Sequence, residues 1–211
     1  MILDLQHLRR SLSEAKGLSA EPVTGSVRCA AVAAIVRPSD AGAELLLIRR
    51  ASHERDPWSG HMALPGGHHE QDDLDLVATA LRETHEEVGL KLDRDAEWIG
   101  ALERARAVGG RGAEFEILPL VFALARKVED VELVPNPREV DSIVWARLED
   151  LLLPAAHTSF TLSGISGEQR RFPAFNVSGH VVWGLTYRIL KNLLSIWGHG
   201  AEPERTGPIF P

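Results

Sequence analysis

The chain has 211 residues, 44% hydrophobic and 25% charged, with a formal net charge of −7. This length suits one domain with a sizeable core rather than two ordinary ones, and the composition is globular rather than disordered. The acidic excess opposes sequence-independent binding of nucleic acid, but leaves room for a local cationic pocket around one small phosphorylated ligand.

Residues 2–15 place Ile2, Leu5, Leu8 and Leu12 at helical spacing and predict an amphipathic N-terminal helix. Asp4, His7, Arg9 and Arg10 interrupt it too often for a signal peptide or membrane span, so the expected compartment is the cytoplasm, without a membrane partner. Gly17, Pro22 and Gly25 mark a connection to an apolar run at 27–36, which reads as a strand. Cys29 lies inside that run; alone, it has no disulfide partner in the chain and no zinc-ligand spacing, and reads as a small buried hydrophobe. Pro38-Ser39-Asp40-Ala41-Gly42 predicts a hairpin turn into a second strand at 44–48.

Residues 51–61 are polar and broken by Asp56-Pro57 and Ser59-Gly60, hence a loop, and 61–64 predict a short strand ending at Pro65-Gly66-Gly67. Leu74, Val77, Ala78, Leu81 and Val88 predict a helix over 74–88, with Gly89 as its C-terminal stop. Strands are expected at 98–102 and 115–125 around the glycine-rich loop 108–112, and another at 140–145. A short helix is expected at 148–153, and a hairpin joins 160–162 to 171–175 around Gly164 and Gly167. A long helix is predicted over 181–197, followed by a loose tail. Strands first, with helices outside, give an α/β or α+β sandwich.

Most of the chemistry sits in Leu64-Pro65-Gly66-Gly67 and Arg82-Glu83-Thr84-His85-Glu86-Glu87-Val88-Gly89. Residues three and four apart share a helix face, so Glu83, Glu86 and Glu87 project as one group of carboxylates. Arg82 reaches Glu86 at i+4, but one arginine cannot balance three glutamates. Clustered hard oxygens suit Mg²⁺ or Mn²⁺, which bridge to substrate phosphates. Gly66 and Gly67 permit close backbone approach. The competing reading is a solvated acidic helix face behind an ordinary turn; the fixed spacing of Gly-Gly, Arg-Glu and the terminal glycine favours the metal site.

This stretch resembles the Nudix box: Gly, five residues, Glu, seven residues, Arg-Glu, an apolar residue, any residue, Glu-Glu, any residue, Gly and an apolar residue. Gly67, Arg82-Glu83, Glu86-Glu87 and Gly89-Leu90 fit it over 24 residues. Asp73 stands where the first Glu is usual, eight residues rather than seven precede Arg82, and Thr84 takes a position usually apolar. The first acid is therefore Asp73, Asp72 or Glu70.

The resemblance implies an α/β/α sandwich with a mixed central sheet and a metal-dependent diphosphatase acting on a nucleotide derivative. Glu83, Glu86, Glu87 and the Gly67 carbonyl would bind Mg²⁺ or Mn²⁺, and Arg82 would orient the carboxylates by salt bridge. The general base would be Glu86 or an acid from a later loop, with Glu114 and Glu116 the candidates. The expected organisation is residues 1–22 as helix and connection, 23–197 as the hydrolase domain and 198–211 as a flexible tail; a homodimer is compatible with it.

Leu46-Leu47-Ile48-Arg49-Arg50-Ala51, then Arg55, Gly60 and Leu64-Pro65-Gly66-Gly67, is similar to the additional signature of Nudix coenzyme A pyrophosphatases. Ile48 replaces a Thr, Leu64 replaces a Phe, and one extra residue separates Arg55 from Gly60. Trp183-Gly184-Leu185-Thr186 also resembles that subgroup. Arg50 and Arg55, with Gly66 and Gly67, would contact the phosphates of coenzyme A or an acyl derivative. Trp58 either stacks on a base or packs locally. ADP-ribose, nucleotide sugars, dinucleoside polyphosphates and nucleoside triphosphates stay open as substrates. A non-catalytic nucleotide-sensing module would have lost box carboxylates, and all three are present. No Gly-x-Ser-x-Gly elbow or zinc-binding His pair supports a protease or esterase.

Overall fold

The computed structural model describes residues 5–14, 20–22, 28–40, 42–53, 58–108, 114–124, 132–163 and 168–198. Among these, β1 (Arg28–Ser39) and β2 (Gly42–Arg50) form an antiparallel hairpin closed between Ser39 and Gly42. Both strands bury both faces, which explains their nearly unbroken apolar runs. Alternate side chains point to opposite sides of the sheet and feed two cores. Ala31, Ala33, Ile35, Leu46 and Ile48 pack on one side, and Ala34, Val36, Leu45 and Leu47 on the other.

Short β3 (Met62–Ala63) pairs with β2, and β4 (Gly66–His68) pairs with β1. Next come α2 (Leu76–Val88), α3 (Leu92–Asp95), β5 (Ala96–Ala101), β6 (Ala105–Val108) and β7 (Glu114–Leu124). β7 runs parallel to β1, while β5 and β6 pair antiparallel to β7, so the sheet is mixed. β8 (Val140–Arg147) adds to the other side of β2. A second, three-stranded sheet follows: β9 (His157–Ser163), β10 (Gln169–Val177) and β11 (His180–Trp183).

Helices cover both faces of the large sheet. α2 (Leu76–Val88) buries Leu76, Ala80 and Val88 in the first core. α1 (Leu5–Glu14) and α4 (Gly184–Ile196) belong to the second core, through Leu8 and Leu12 and through Ile189, Leu190, Leu193 and Leu194. Burying Leu8 and Leu12 stabilises the docked N-terminal helix by about 2 kcal/mol each. This mixed α+β sandwich is the expected architecture. No described helix is long and apolar enough to cross a membrane.

Several elements differ from their sequence expectation. The central helix starts at Leu76, because Asp75 has extended backbone and its side chain accepts a hydrogen bond from the Ala78 N–H at 2.8 Å. That N-cap leaves Leu74 outside, 92% exposed. The last helix starts at Gly184; residues 181–183 belong to β11, held by pairing with Ala174, Phe175 and Asn176. The expected helix near 150 is one 3₁₀ turn, Asp150–Leu152. β4 and β6 arise from tertiary pairing that short polar or glycine-rich segments do not announce. Gly17, Gly25, Arg55, the glycines at 109, 110 and 112, Gly164, Gly167 and residues 199–211 lie outside the described residues.

Candidate active site

The glycine turn and α2 are folded against each other. Gly66 has φ +146°, and a Cβ there would lie 2.2 Å from the Ala31 carbonyl oxygen and 2.6 Å from Val32 Cα. Only glycine fits this approach to β1. The Gly66 N–H then donates to Glu87 Oε2 at 2.9 Å. A Cβ on Gly67 would lie 2.3 Å from Glu83 Oε1, so the missing side chain makes room for that carboxylate. At the far end, Gly89 takes the left-handed conformation (φ 74°) and returns its N–H to the His85 carbonyl, ending α2 just past the glutamates.

Arg82 is the organising side chain. Its Nε and Nη2 donate to the two oxygens of Asp73, both at 3.0 Å, and Nη2 also reaches the His68 carbonyl at 3.0 Å. Its Nη1 donates to Glu83 Oε1 at 3.0 Å and to Glu86 Oε2 at 3.3 Å. The Arg82 hydrogen bond holds the Asp73 carboxyl down at about 2, and Asp73 in turn raises the arginine's pKa. Thr79 also donates to Asp73, at 2.9 Å. Of the three acids open for the first position, Asp73 is thus the one tied to Arg82 at both oxygens; Glu70 approaches no closer than 4.0 Å, and Asp72 is exposed.

The three glutamates differ in environment. Glu87 is 3% exposed, and burial pushes its carboxyl up to about 8; the charges of Glu83 and Glu139 push the same way, against the Gly66 hydrogen bond and the charge of Arg50. Burial likewise raises Glu83, opposed by Arg82 and assisted by Glu86 and Glu139. Glu86 is exposed. Among the described residues no three acidic, histidine or cysteine side chains are brought together closely enough to hold a metal ion. The carboxylates line one edge of α2, with Glu87 turned to a backbone N–H and Glu86 to Arg82. Their chemistry nonetheless fits a divalent cation: hard oxygens, two of them desolvated and mutually repelling, beside a glycine that leaves space.

Arg50 ends β2 close enough for its charge to act on Glu87. Its backbone is fixed by two hydrogen bonds, from its own N–H to His61 at 3.0 Å and from the Gly60 N–H at 3.1 Å. Arg49 pairs with Asp141 at 3.1 Å. Arg55, expected with Arg50 to contact the substrate phosphates, lies outside the described residues.

The later acids are rearranged relative to expectation. Glu116 is buried between Arg104 (3.4 Å) and Arg106 (3.9 Å), and Glu114 is an exposed strand end. The acid from a later loop that acts on both Glu83 and Glu87 is Glu139, which sequence reasoning missed. It stands in the turn before β8, its Oε1 accepting from Asn136 at 3.1 Å, while the Asn136 N–H is bound to the Glu87 carbonyl at 2.9 Å. Only that return of the chain to the end of α2 brings Glu139 to the site. Trp58 packs among His61 (5.8 Å) and Trp183 (6.2 Å), which favours the local-packing reading.

The family model described as NUDIX domain matches residues 27–162. The mitochondrial coenzyme A diphosphatase NUDT8 of Mus musculus is 31% identical over 182 residues, which cover 79% of this chain and 77% of that protein. An uncharacterised Nudix hydrolase, NudL, of Photorhabdus laumondii is 32% identical over 149 residues, 71% of this chain and 74% of that protein. An uncharacterised Schizosaccharomyces pombe protein is 37% identical over 136 residues, and there the match spans only 40% of the relative's length. The crystal structure of a NUDIX hydrolase from Alicyclobacillus acidocaldarius shares the fold, with a TM-score of 0.52, 19% identity and coverage of 82% of this chain and 93% of that one.

Proposed function

Because the chain belongs to the Nudix hydrolase family, we propose that it cleaves the diphosphate linkage of coenzyme A or an acyl derivative, using Mg²⁺ or Mn²⁺. The observation that carries the hydrolase chemistry is the packing of Glu83 against Gly67, beside buried Glu87, with Arg82 clamped in place by Asp73. Coenzyme A is favoured by the 31% identity to the mouse coenzyme A diphosphatase and by the position of Arg50 beside Glu87.

Glu83, Glu86 and Glu87, with the Gly67 carbonyl, would hold the cation. When bound, it would neutralise charge on the attacked phosphate and acidify a water. The chain's own groups do the rest. Arg82 holds Glu83 and Glu86 in one orientation, acting as a positioning residue rather than a substrate contact. Arg50 supplies a charge-assisted donor to the phosphate oxygens. Glu139 is assigned as the proton acceptor. It takes a proton from the attacking water as a P–O bond forms, the bridging P–O bond breaks, and the departing phosphate carries away the electron pair.

The test is a screen of the purified protein against coenzyme A, ADP-ribose, nucleotide sugars and nucleoside triphosphates, with Mg²⁺ and Mn²⁺ separately. Conversion of coenzyme A to 4′-phosphopantetheine and 3′,5′-ADP is expected. Efficient cleavage of ADP-ribose in its place would overturn the substrate assignment, and failure to cleave any diphosphate would overturn the hydrolase.

A further inference from the structure

The stretch that leaves the glycine turn is tied to α2 at two levels. The His68 carbonyl accepts from Arg82 Nη2 at 3.0 Å. One residue on, the His69 ring meets the Thr79 hydroxyl, with Nδ1 and Oγ1 3.0 Å apart. Thr79 and Arg82 are three apart and share a helix face, so these two links together hold Gly67 against Glu83. The backbone of His69 is fixed separately, its N–H donating to the Cys29 carbonyl of β1 at 3.0 Å. Strand, turn and helix are thereby joined around the proposed cation site.

The Thr79 hydroxyl stands at the centre of this junction. It is completely buried, 2.9 Å from the Asp73 carboxylate and 3.2 Å from the Asp75 carbonyl. A hydroxyl has one hydrogen to donate and two lone pairs. The nearer, ionised acceptor takes that hydrogen, because charge-assisted bonds are the stronger ones. A lone pair then faces His69, so the ring is the donor and carries a proton on Nδ1. The Asp75 carbonyl, four residues back, competes for the Thr79 hydrogen, as it does for any threonine inside a helix. Donation from His69 polarises the hydroxyl and strengthens its bond to Asp73. Asp73 holds Arg82 at both oxygens, and Arg82 in turn reaches Glu83 and Glu86.

We propose that His69 and Thr79 are positioning residues for the hydrolase. His69 Nδ1–H, acting through the Thr79 hydroxyl, sets the Asp73–Arg82 pair and with it the orientation of Glu83. Neither residue touches substrate. The proposal rests on the reading of Glu83 as a cation ligand.

Four variants test it in two pairs. Thr79→Val keeps the shape and removes the hydroxyl, whereas Thr79→Ser keeps the hydroxyl. His69→Leu removes the ring donor, whereas His69→Asn supplies an amide N–H in its place. In nitrogen-15 NMR of metal-free protein, the His69 ring should carry a proton on Nδ1. The Arg82 Nε–H should exchange slowly in the wild type, Thr79→Ser and His69→Asn, and about tenfold faster in Thr79→Val and His69→Leu. In calorimetric titration, Mg²⁺ should bind those last two about tenfold more weakly. Their kcat should fall by a similar factor, with KM for coenzyme A within about twofold. Equal losses in both members of each pair would make the positions matters of packing. Wild-type Arg82 exchange in Thr79→Val and His69→Leu would free Asp73 from them, and a bare Nδ1 would reverse the hydrogen bond; each of these outcomes overturns the proposal. If Thr79→Val does not fold, the His69 pair decides, at a side chain 21% exposed. If the wild type binds no Mg²⁺ or cleaves no diphosphate, the hydrolase reading fails by itself, because Arg82 exchange still shows whether His69 and Thr79 set the guanidinium.

Discussion

Arg82 and Asp73 form a two-pronged ion pair, both nitrogen–oxygen distances 3.0 Å, that joins the loop after the glycine turn to the middle of α2. The pair fixes the guanidinium so that its remaining N–H groups point along the helix at Glu83 and Glu86. An acid one residue out of step with the usual box thus serves to orient the arginine.

Asp73→Asn should lower stability by about 2 kcal/mol, because it leaves a partly buried guanidinium short of its strongest acceptor. The acid limb should change as well. The Asp73 carboxyl is held down at about 2, so its contribution is present above pH 4 and is lost as the pH falls toward 2. Thermal melts from pH 2 to 6 should show this loss in the wild type and less of it in the variant. Turnover should fall roughly 10- to 100-fold as Arg82 slackens. Unchanged melts together with unchanged turnover would refute the orienting role.

Glu87 gives the opposite pH dependence. Its folded pKa of about 8 lies above that of the unfolded chain, so metal-free protein is most stable below pH 4.5 as far as this group is concerned, and loses that stability as pH rises through 8. Divalent cation should restore the loss at pH 8, since binding requires the ionised form. In Glu87→Gln, melts at pH 5 and pH 8 should converge, and Mg²⁺ should no longer raise Tm. If Mg²⁺ stabilises the variant as much as the wild type, Glu87 is not part of the cation site.

The two glycines should respond differently to alanine. At Gly66 the new methyl meets backbone atoms of Ala31 and Val32, and the φ of +146° is itself unfavourable, so Gly66→Ala should cost several kcal/mol, of order 3 or more. At Gly67 the nearest atoms to the methyl all belong to the movable end of Glu83. Gly67→Ala should therefore fold, with Tm nearly unchanged, while activity falls about tenfold or more because the carboxylate is displaced. Denaturation and steady-state kinetics on the pair would separate packing from chemistry.

Glu139→Gln should reduce kcat roughly 100-fold with little change in Tm. Glu114→Gln, at an exposed strand end, should leave kcat within about twofold. Retention of wild-type kcat by Glu139→Gln would return the proton-acceptor role to Glu86.

The spacing of Glu83, Glu86 and Glu87, the C-terminal stop at Gly89 and the apolar runs of β1 and β2 were all legible because each depends on residues close in the chain. Helical period and turn chemistry are local properties, and they sufficed for an α/β or α+β sandwich and for the position of the acidic helix. The sequence could not reveal β4, whose three residues are a strand only because Ala30, Ala31 and Val32 lie opposite. Nor could it point to Glu139, having offered Glu86, Glu114 and Glu116.

Local spacing alone thus determined which carboxylates would gather on one helix. Tertiary structure decided the rest: which glutamate is desolvated, which acid grips Arg82, and which distant loop returns to the site. Desolvation and ion pairing are properties of what surrounds a group, and those surroundings exist only once strands and loops far apart in the chain have packed together.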